Sequence, residues 1–455
     1  MKIIIAGAGA VGTHLAKLLS RERHDITLID ESKERLSDLS TNFDLLTICD
    51  SPSSIEVLKN AEVDDADLFI GVTPDESRNM TCCMLASKLG AKKTVARVDN
   101  YEYTLPENRD FFKTIGIDSI IYPEMLAGKE IISNIKKSWV RQWMELKGGE
   151  LVMIGVKIRE SAKVLGQPLR ELFGPDEPCH IVAIKRGEDT IIPHGNDTIE
   201  VGDVAFFMTM PEYTSYVREL TGKTNYPDVK NVFIMGASNT AVHAIWNMPD
   251  GMHAKIFEPD AKRCEWLNEH LAHHNNVLVI NGDGNDPNLL IDEGIQKAEA
   301  FAALTGNSEQ NILACLSARR LGIRKTVAMV ENTDYIKVAE NLDIGYIINK
   351  KTFAASHIYQ MMLKADITTM KNLVVANADV AEFHVHQGAK ITKKAVKDLD
   401  LPSTVTLGGL VRNGRGQLIN GQTIIEPEDT VVAFCLENEV KRLERYFKEQ
   451  KKGNQ

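Results

Sequence analysis

No stretch of the 455-residue sequence approaches the roughly 18 to 20 consecutive apolar residues that a membrane-spanning helix needs. Nor is there an excess of positive charge. The net charge of −10 leaves no basic face for nucleic acid and no polybasic patch for an anionic lipid surface. The seven cysteines, at 49, 82, 83, 179, 264, 315 and 435, contain no CxxC pair, which argues against a disulfide framework and a zinc site. They are expected to be buried, reduced thiols, with Cys82 and Cys83 pointing in different directions from one helix. A cleaved signal peptide is not expected either, because a core strand is predicted to start at Lys2. The expectation is a cytoplasmic protein whose membrane contacts, if any, run through a protein partner. What is present, 43% hydrophobic and 25% charged residues, is ordinary for a soluble globular chain. Its length suits two to four domains better than one core.

The first thirty residues carry the clearest pattern. Lys2 to Ala6 is an apolar run of strand length, followed directly by Gly7-Ala8-Gly9-Ala10-Val11-Gly12, a helical stretch to Leu19, and a second strand, Ile26 to Ile29, ending at Asp30. Each part has a physical job in holding a dinucleotide. Gly7 allows a tight turn, Gly9 lets a pyrophosphate approach bare backbone, and Gly12 lets the helix sit close to the strand. The helix N-terminus offers free N–H groups and partial positive charge to phosphates. Asp30 can accept hydrogen bonds from a ribose 2′,3′-diol and would repel a 2′-phosphate, which favours NAD or adenine nucleotides over NADP.

Strands and helices then alternate at the spacing of a parallel, doubly wound sheet: Asp44–Cys49, Asp67–Val72, Thr94–Val98 and Ile117–Ile121 are predicted strands. Asp50, Thr73 and Arg97 lie at their carboxyl ends, where ligands of such sheets bind. The pattern predicts one long amphipathic helix over Met125–Leu146, with Ile131, Ile132, Ile135, Trp139 and Trp143 as its apolar stripe. That stripe packs either on its own domain or on a partner subunit; sequence leaves both open. A β-rich module follows, with predicted strands at Leu151–Ile158, His180–Lys185, Thr190–Pro193 and Val204–Met208, and then a linker over Lys223–Lys230.

The pattern then starts again. A strand at Asn231–Met235 leads into Gly236-Ala237-Ser238-Asn239-Thr240-Ala241, and a further strand ends at Glu258. Gly282-Asp283 repeats the position of Cys49-Asp50, and Thr305 and Asn311 repeat the spacing of Thr73 and Asn79. The fold class is therefore α/β: two tandem Rossmann-like lobes, each followed by a small β-rich lobe. The expected domains are 1–140, 141–222, 231–366 and 367–450. The copies are unequal. Ser238 stands at the middle glycine position and Ala241 at the third, so a side chain occupies space that a pyrophosphate needs. The first lobe is expected to bind nucleotide more tightly.

Two function classes fit a dinucleotide fingerprint: an NAD-dependent oxidoreductase, and a regulator that passes a nucleotide-driven conformational change to a partner. A third, an adaptor with empty pockets, falls if any adenine nucleotide binds. The β-rich modules offer no clear substrate domain, and a duplicated unit with one decayed fingerprint suits a regulator better.

The order GAGAVG, Asp30, Thr73-Pro74-Asp75-Glu76-Ser77-Arg78-Asn79, Ala96-Arg97-Val98 and Tyr122-Pro123-Glu124, then a β-rich lobe, resembles one unit of the RCK (KTN) family. Two such units in tandem are similar to the cytosolic regulatory subunits of Trk-type potassium uptake systems. The resemblance implies a non-enzymatic gating ring, a homo-oligomer and most simply a tetramer. Its partner would be a membrane potassium-translocating subunit of the TrkH/TrkG type, not nucleic acid. It implies NAD(H) and/or ATP/ADP as regulatory ligands. Gly7, Ala8, Gly9, Ala10, Val11, Gly12 and Asp30 would hold pyrophosphate and ribose. Asp50 would lie near the adenine, and Thr73, Pro74, Arg97 and Val98 would line the rest. Gly236, Glu258, Asp283 and Thr305 are the corresponding positions of the second lobe. Glu124 matches a carboxylate that shares a cation across the lobe dimer in some members of the family.

Overall fold

The computed structural model describes residues 1–20, 24–174, 176–362, 367–373, 378–436 and 439–448. The expected start of the last lobe at 367 adjoins residues outside that description, and its expected end at 450 lies among them. Six parallel strands form the first sheet: β1 (Lys2–Ala6), β2 (Asp25–Asp30), β3 (Leu46–Cys49), β4 (Leu68–Gly71), β5 (Thr94–Arg97) and β6 (Ser119–Ile121). Their order is β3-β2-β1-β4-β5-β6, which puts a topological switch point between β1 and β4. Ile3, Ile4 and Ile5 of β1 are wholly buried because helices cover both faces.

The first antiparallel sheet contains β7 (Gln142–Leu146), β8 (Leu151–Lys157), β9 (Cys179–Arg186), β10 (Asp189–Ile191) and β11 (Val204–Thr209), in the order β10-β9-β11-β8-β7. The second parallel sheet repeats the first. Its strands are β12 (Asn231–Met235), β13 (His253–Glu258), β14 (Val277–Asn281), β15 (Ala300–Ala303), β16 (Lys325–Met329) and β17 (Tyr346–Ile348), ordered β14-β13-β12-β15-β16-β17. The last sheet holds β18 (Ile367–Leu373), β19 (Ala378–His384), β20 (Val405–Arg412), β21 (Arg415–Leu418) and β22 (Thr430–Leu436), ordered β18-β19-β22-β20-β21. The β-rich lobes also share a signature that the sequence did not announce. Arg186 grips buried Asp203 with two bonds of 3.0 and 2.8 Å, and Arg412 grips Asp429 with two of 2.9 and 2.7 Å.

The expected single helix over Met125–Leu146 is corrected. A helix spans Pro123–Ile135, and residues 142–146 form β7 instead. The apolar residues of the two pieces serve different cores. Ile131, Ile132 and Ile135 are buried with Val232, Ile234 and Ile256 of the second Rossmann lobe, whereas Trp139 joins the core of the first β-rich lobe. The helix thus crosses from its own lobe onto its partner lobe within one chain. Lys350–Met362 makes the reciprocal crossing: Ala354, Ala355 and Ile358 are buried with Ile3, Ile5 and Leu15 of the first lobe. Burying the three isoleucines of the first crossing helix contributes roughly 5–9 kcal/mol before entropy is counted. Gly128 permits the close approach, since a Cβ there would stand 2.7 Å from the backbone of Ala244. The two β-rich lobes meet as well, with Met153, Val182 and Phe206 of one packed against Val380, Val411 and Phe434 of the other. The chain is an internal pseudo-dimer, Rossmann lobe on Rossmann lobe and β-rich lobe on β-rich lobe.

The thiols follow expectation except at one position. Cys49 is exposed at the end of an edge strand, while the other six are buried. Burial pushes the Cys82 thiol up to about 12. Cys83 and Cys315 donate to the carbonyls of Val95 and Val327, each at 3.3 Å, another exact echo of the repeat.

Candidate nucleotide site

The glycine turn of the first lobe is built as the residue types require. Gly7 has φ +112°, and a Cβ on it would stand 2.8 Å from the Thr73 nitrogen. A Cβ on Gly12 would meet the Gly7 carbonyl oxygen at 1.8 Å. Around Gly9, by contrast, a Cβ would meet nothing within 4 Å: the middle glycine faces open space, where an approaching ligand needs bare backbone. The helix Ala10–Ser20 begins immediately after it and presents its N-terminal amides.

Asp30 sits beside this turn, 8% exposed. Its Oδ2 accepts from the Ala8 amide at 2.7 Å and its Oδ1 from the Ser32 amide at 2.8 Å. The carboxylate is therefore fixed in orientation and keeps further lone pairs for hydroxyl donors. Arg35 approaches it at 3.8 Å. A cavity of about 280 Å³ is lined by Gly7, Asp30, Thr73, Pro74 and Pro52, with Glu31, Ser32, Arg35 and Arg78 around it. Sequence reasoning missed these last four and Pro52. Glu31 and Arg78 pair at 3.0 Å across the mouth, and their nearness to Asp30 and Thr73 in sequence was the available signal.

The remaining expected residues take different places around the turn. Ala8, Val11 and Gly12 are buried and act through backbone position, while Ala10 is exposed. Thr73 belongs to a buried clamp: its amide and hydroxyl both donate to Asn79 Oδ1 at 2.7 Å. The Asn79 amide returns bonds of 2.9 Å to the carbonyls of Thr73 and Arg97. Arg97 donates to the Thr73 carbonyl at 3.1 Å and to Asp99 at 2.7 Å, beside the cavity and outside its lining. Val98 is wholly buried, and its amide bonds the Ile121 carbonyl, so its side chain serves the core. Asp50 is exposed and accepts from the Ser51 amide at 2.6 Å; it does not line the cavity.

The second lobe repeats the scaffold. Glu258 accepts from the Ala237 amide at 2.9 Å, and Asn311 clamps Thr305 with bonds of 3.1, 2.7 and 2.9 Å. Gly236, Glu258, Asp283 and Thr305 all line a cavity of about 340 Å³. Ser238, however, caps the helix with its own side chain, its Oγ accepting from the Ala241 amide at 3.3 Å. Arg263 reaches over the turn to the Ala237 carbonyl and the Asn239 side chain, at 2.9 and 3.1 Å. The amide that an anion would use is thus already engaged by protein.

At the seam between the lobes, Glu124 is 8% exposed and pairs with the Lys350 ammonium at 3.0 Å. Lys350 also meets Glu331 at 2.9 Å, which Lys351 joins at 3.0 Å. Burial alone would lower the Lys350 pKa, but Glu124 and Glu331 outweigh it and hold the ammonium above its ordinary value. No group of three His, Cys, Asp or Glu residues is placed to hold a metal among the described residues. One oxygen of Glu124 thus meets a tethered ammonium, while its buried Oε2 has no hydrogen-bond partner among the described residues.

Comparison with known proteins agrees with this architecture. The TrkA-N domain profile matches residues 3–123 and 232–350, and the TrkA-C domain profile matches 153–222 and 380–448. The chain is 30% identical to the Trk system potassium uptake protein TrkA of Halomonas elongata and 31% identical to that of Haemophilus influenzae. Each alignment covers 98% of both chains. Among solved structures, the GsuK RCK domain superposes with a TM-score of 0.59 at 14% identity, over 98% of this chain and 94% of that one. The NAD-bound GsuK channel gives a TM-score of 0.59 at 13% identity, over 98% and 78%. At such identities the superpositions speak for the fold, two RCK-like units in tandem. With both copies of both domains matched and full-length relatives at this identity, the chain belongs to the TrkA family.

Proposed function

We propose that this chain is a nucleotide-sensing, non-enzymatic subunit that regulates potassium uptake. In this reading, NAD(H) or an adenine nucleotide binds the first Rossmann lobe, with its pyrophosphate over Gly9 and its ribose on Asp30. Four chains form a ring on the cytoplasmic face of a TrkH-type membrane subunit, and the lobes at 1–140, 141–222, 231–366 and 367–450 shift against one another. The observation that carries the reading is the open space over Gly9 beside a carboxylate already oriented by Ala8 and Ser32. The names of the full-length relatives, all potassium uptake proteins, support the transporter, and the NAD-bound GsuK channel supports the ligand class.

The reciprocal crossing helices supply a mechanical route. A change at the first glycine turn moves the helix Ala10–Ser20, against which the second lobe's crossing helix is packed. Nucleotide binding can shift this arrangement only by its differential affinity for the two states. No helix among the described residues is long and apolar enough to cross a membrane; in this reading the chain meets the membrane through its TrkH-type partner. At Glu124, the Lys350 ammonium takes the place of a separate cation. The test is potassium flux in vesicles holding a TrkH-type subunit with this chain. Nucleotide should alter flux with the native chain and have no effect with Asp30→Ala/Gly9→Trp. An unchanged response in the double variant would remove the first lobe as sensor.

A further inference from the structure

A third cavity, of about 260 Å³, opens between the first β-rich lobe and the second Rossmann lobe, and it shares no lining residue with the cavity at either glycine turn. Its walls are unusual for a chain with a net charge of −10. Arg141, Lys157, Arg159 and Lys223 come from the first half of the chain. Arg319, Arg324 and Lys325 come from the second, and no acidic residue lines the space. One carboxylate stands behind them. Asp343 pairs with Arg141, with Arg159 at 2.8 Å and with Arg319 at 3.5 Å. Asp203, the other acid near Lys157, is already gripped by Arg186 at 2.8 Å.

Backbone carbonyls hold several of these cations in place, Arg141 in addition to its pairing with Asp343. Lys325 donates to the Val140 carbonyl at 2.6 Å, Arg141 to the Gly345 carbonyl at 2.6 Å and Arg324 to the Asn225 carbonyl at 3.0 Å. Lys223 is 4% exposed with its ammonium 4.7 Å from the centre of the Tyr226 ring. Neither Lys157 nor Lys223 has a hydrogen-bonding or ion-pairing partner for its ammonium among the described residues. Crowding like charges in a partly buried space is costly unless something of opposite sign enters it. The titration behaviour agrees. Burial first, and the neighbouring arginines second, push Lys223 down to about 8, and the same causes push Lys325 down to about 7.

We propose that this cavity is an anion site for a diphosphate group, whose binding ties the first β-rich lobe to the second Rossmann lobe. Arginine forks match phosphate oxygens, and the two unpartnered ammoniums supply further donors. A cavity of this size holds a compact polyanion and excludes a nucleic-acid duplex. Inorganic pyrophosphate and the diphosphate of a nucleotide share the required chemistry. The site stands independently of the glycine-turn reading.

The test uses the full chain carrying Gly9→Trp, so that the first glycine turn is closed to phosphate. Pyrophosphate and ADP are titrated separately, with and without Lys157→Gln/Arg159→Gln. Saturable binding should weaken roughly tenfold to a hundredfold in the double substitution. Binding of both ligands would point to the diphosphate itself, and binding of ADP alone to a nucleotide source. In parallel, the unsubstituted chain is treated with an amine acylating reagent. Either ligand should protect Lys157 and Lys223, a readout that does not depend on a variant folding. The proposal is overturned if neither ligand binds, if affinity is unchanged by the substitutions, or if both lysines acylate equally fast with saturating ligand.

Discussion

In the first Rossmann lobe Asn79 ties Thr73 to the carbonyl of Arg97, and in the second Asn311 ties Thr305 to the carbonyl of Met329. The turns open on Gly7 and Gly236, both at positive φ, and Asp30 and Glu258 each accept the amide that follows. These shared features build the strand–turn–helix itself. The differences lie where a ligand would sit. Gly9 faces open space while Ser238 caps its own helix; Arg97 is replaced by Met329, and Glu124 by Lys351. Two copies in one chain thus separate scaffold from site. What both lobes retain holds the fold, and what only the first retains is suited to a nucleotide.

The largest effect should come from breaking what the lobes share. Asn79→Leu or Asn311→Leu takes the partner from a buried amide, that of Thr73 or Thr305, and from a strand-end carbonyl, that of Arg97 or Met329, and each should cost about 3 kcal/mol in urea unfolding. The cost should be somewhat larger at Asn311, because the Thr73 carbonyl keeps its bond from Arg97 whereas Met329 has no side-chain donor to offer the Thr305 carbonyl. Breaking what only the first lobe has should act on binding instead. Gly9→Trp is expected to weaken nucleotide affinity by roughly a hundredfold, about 2.7 kcal/mol, with the unfolding midpoint nearly unchanged, since the position faces open space.

A further contrast concerns pH. Lys93 is exposed, whereas its counterpart Lys325 is buried and titrates at about 7. Above that value the unfolded chain still carries the proton that the folded chain has released, so stability from this residue rises between about pH 7 and pH 9.5. Urea midpoints across that range should climb less steeply in Lys325→Met than in the native chain. The smallest effect should be the repair of the second turn. Ser238→Gly should cost only a few tenths of a kcal/mol in stability. By freeing the Ala241 amide it should strengthen nucleotide binding at the second lobe by several-fold, read by calorimetry in the Gly9→Trp background.

The tandem arrangement and both parallel sheets were legible from sequence, because buried β-strands such as Lys2–Ala6 and glycine turns leave local signatures. Asp30 was legible for the same reason: its position follows from strand and turn alone. The helix over 125–146 was not. An apolar stripe records that residues are buried, not against what, so Ile135 and Trp139 read as one surface although they enter different cores. Asp50 and Val98 sit at the right strand ends, yet which way a side chain points depends on packing that strand position does not encode. The basic cavity left no local trace either, since Arg141 and Arg319 meet only once the two halves fold together.

The central claim is that the first glycine turn is the nucleotide sensor, and calorimetric titration of the native chain and Gly9→Trp with NADH, NAD, ATP and ADP tests it most directly. The account predicts one tight nucleotide site per native chain, lost in Gly9→Trp, with weaker binding left at the second lobe. Two equivalent tight sites per chain, or tight binding unaltered by Gly9→Trp, would contradict it.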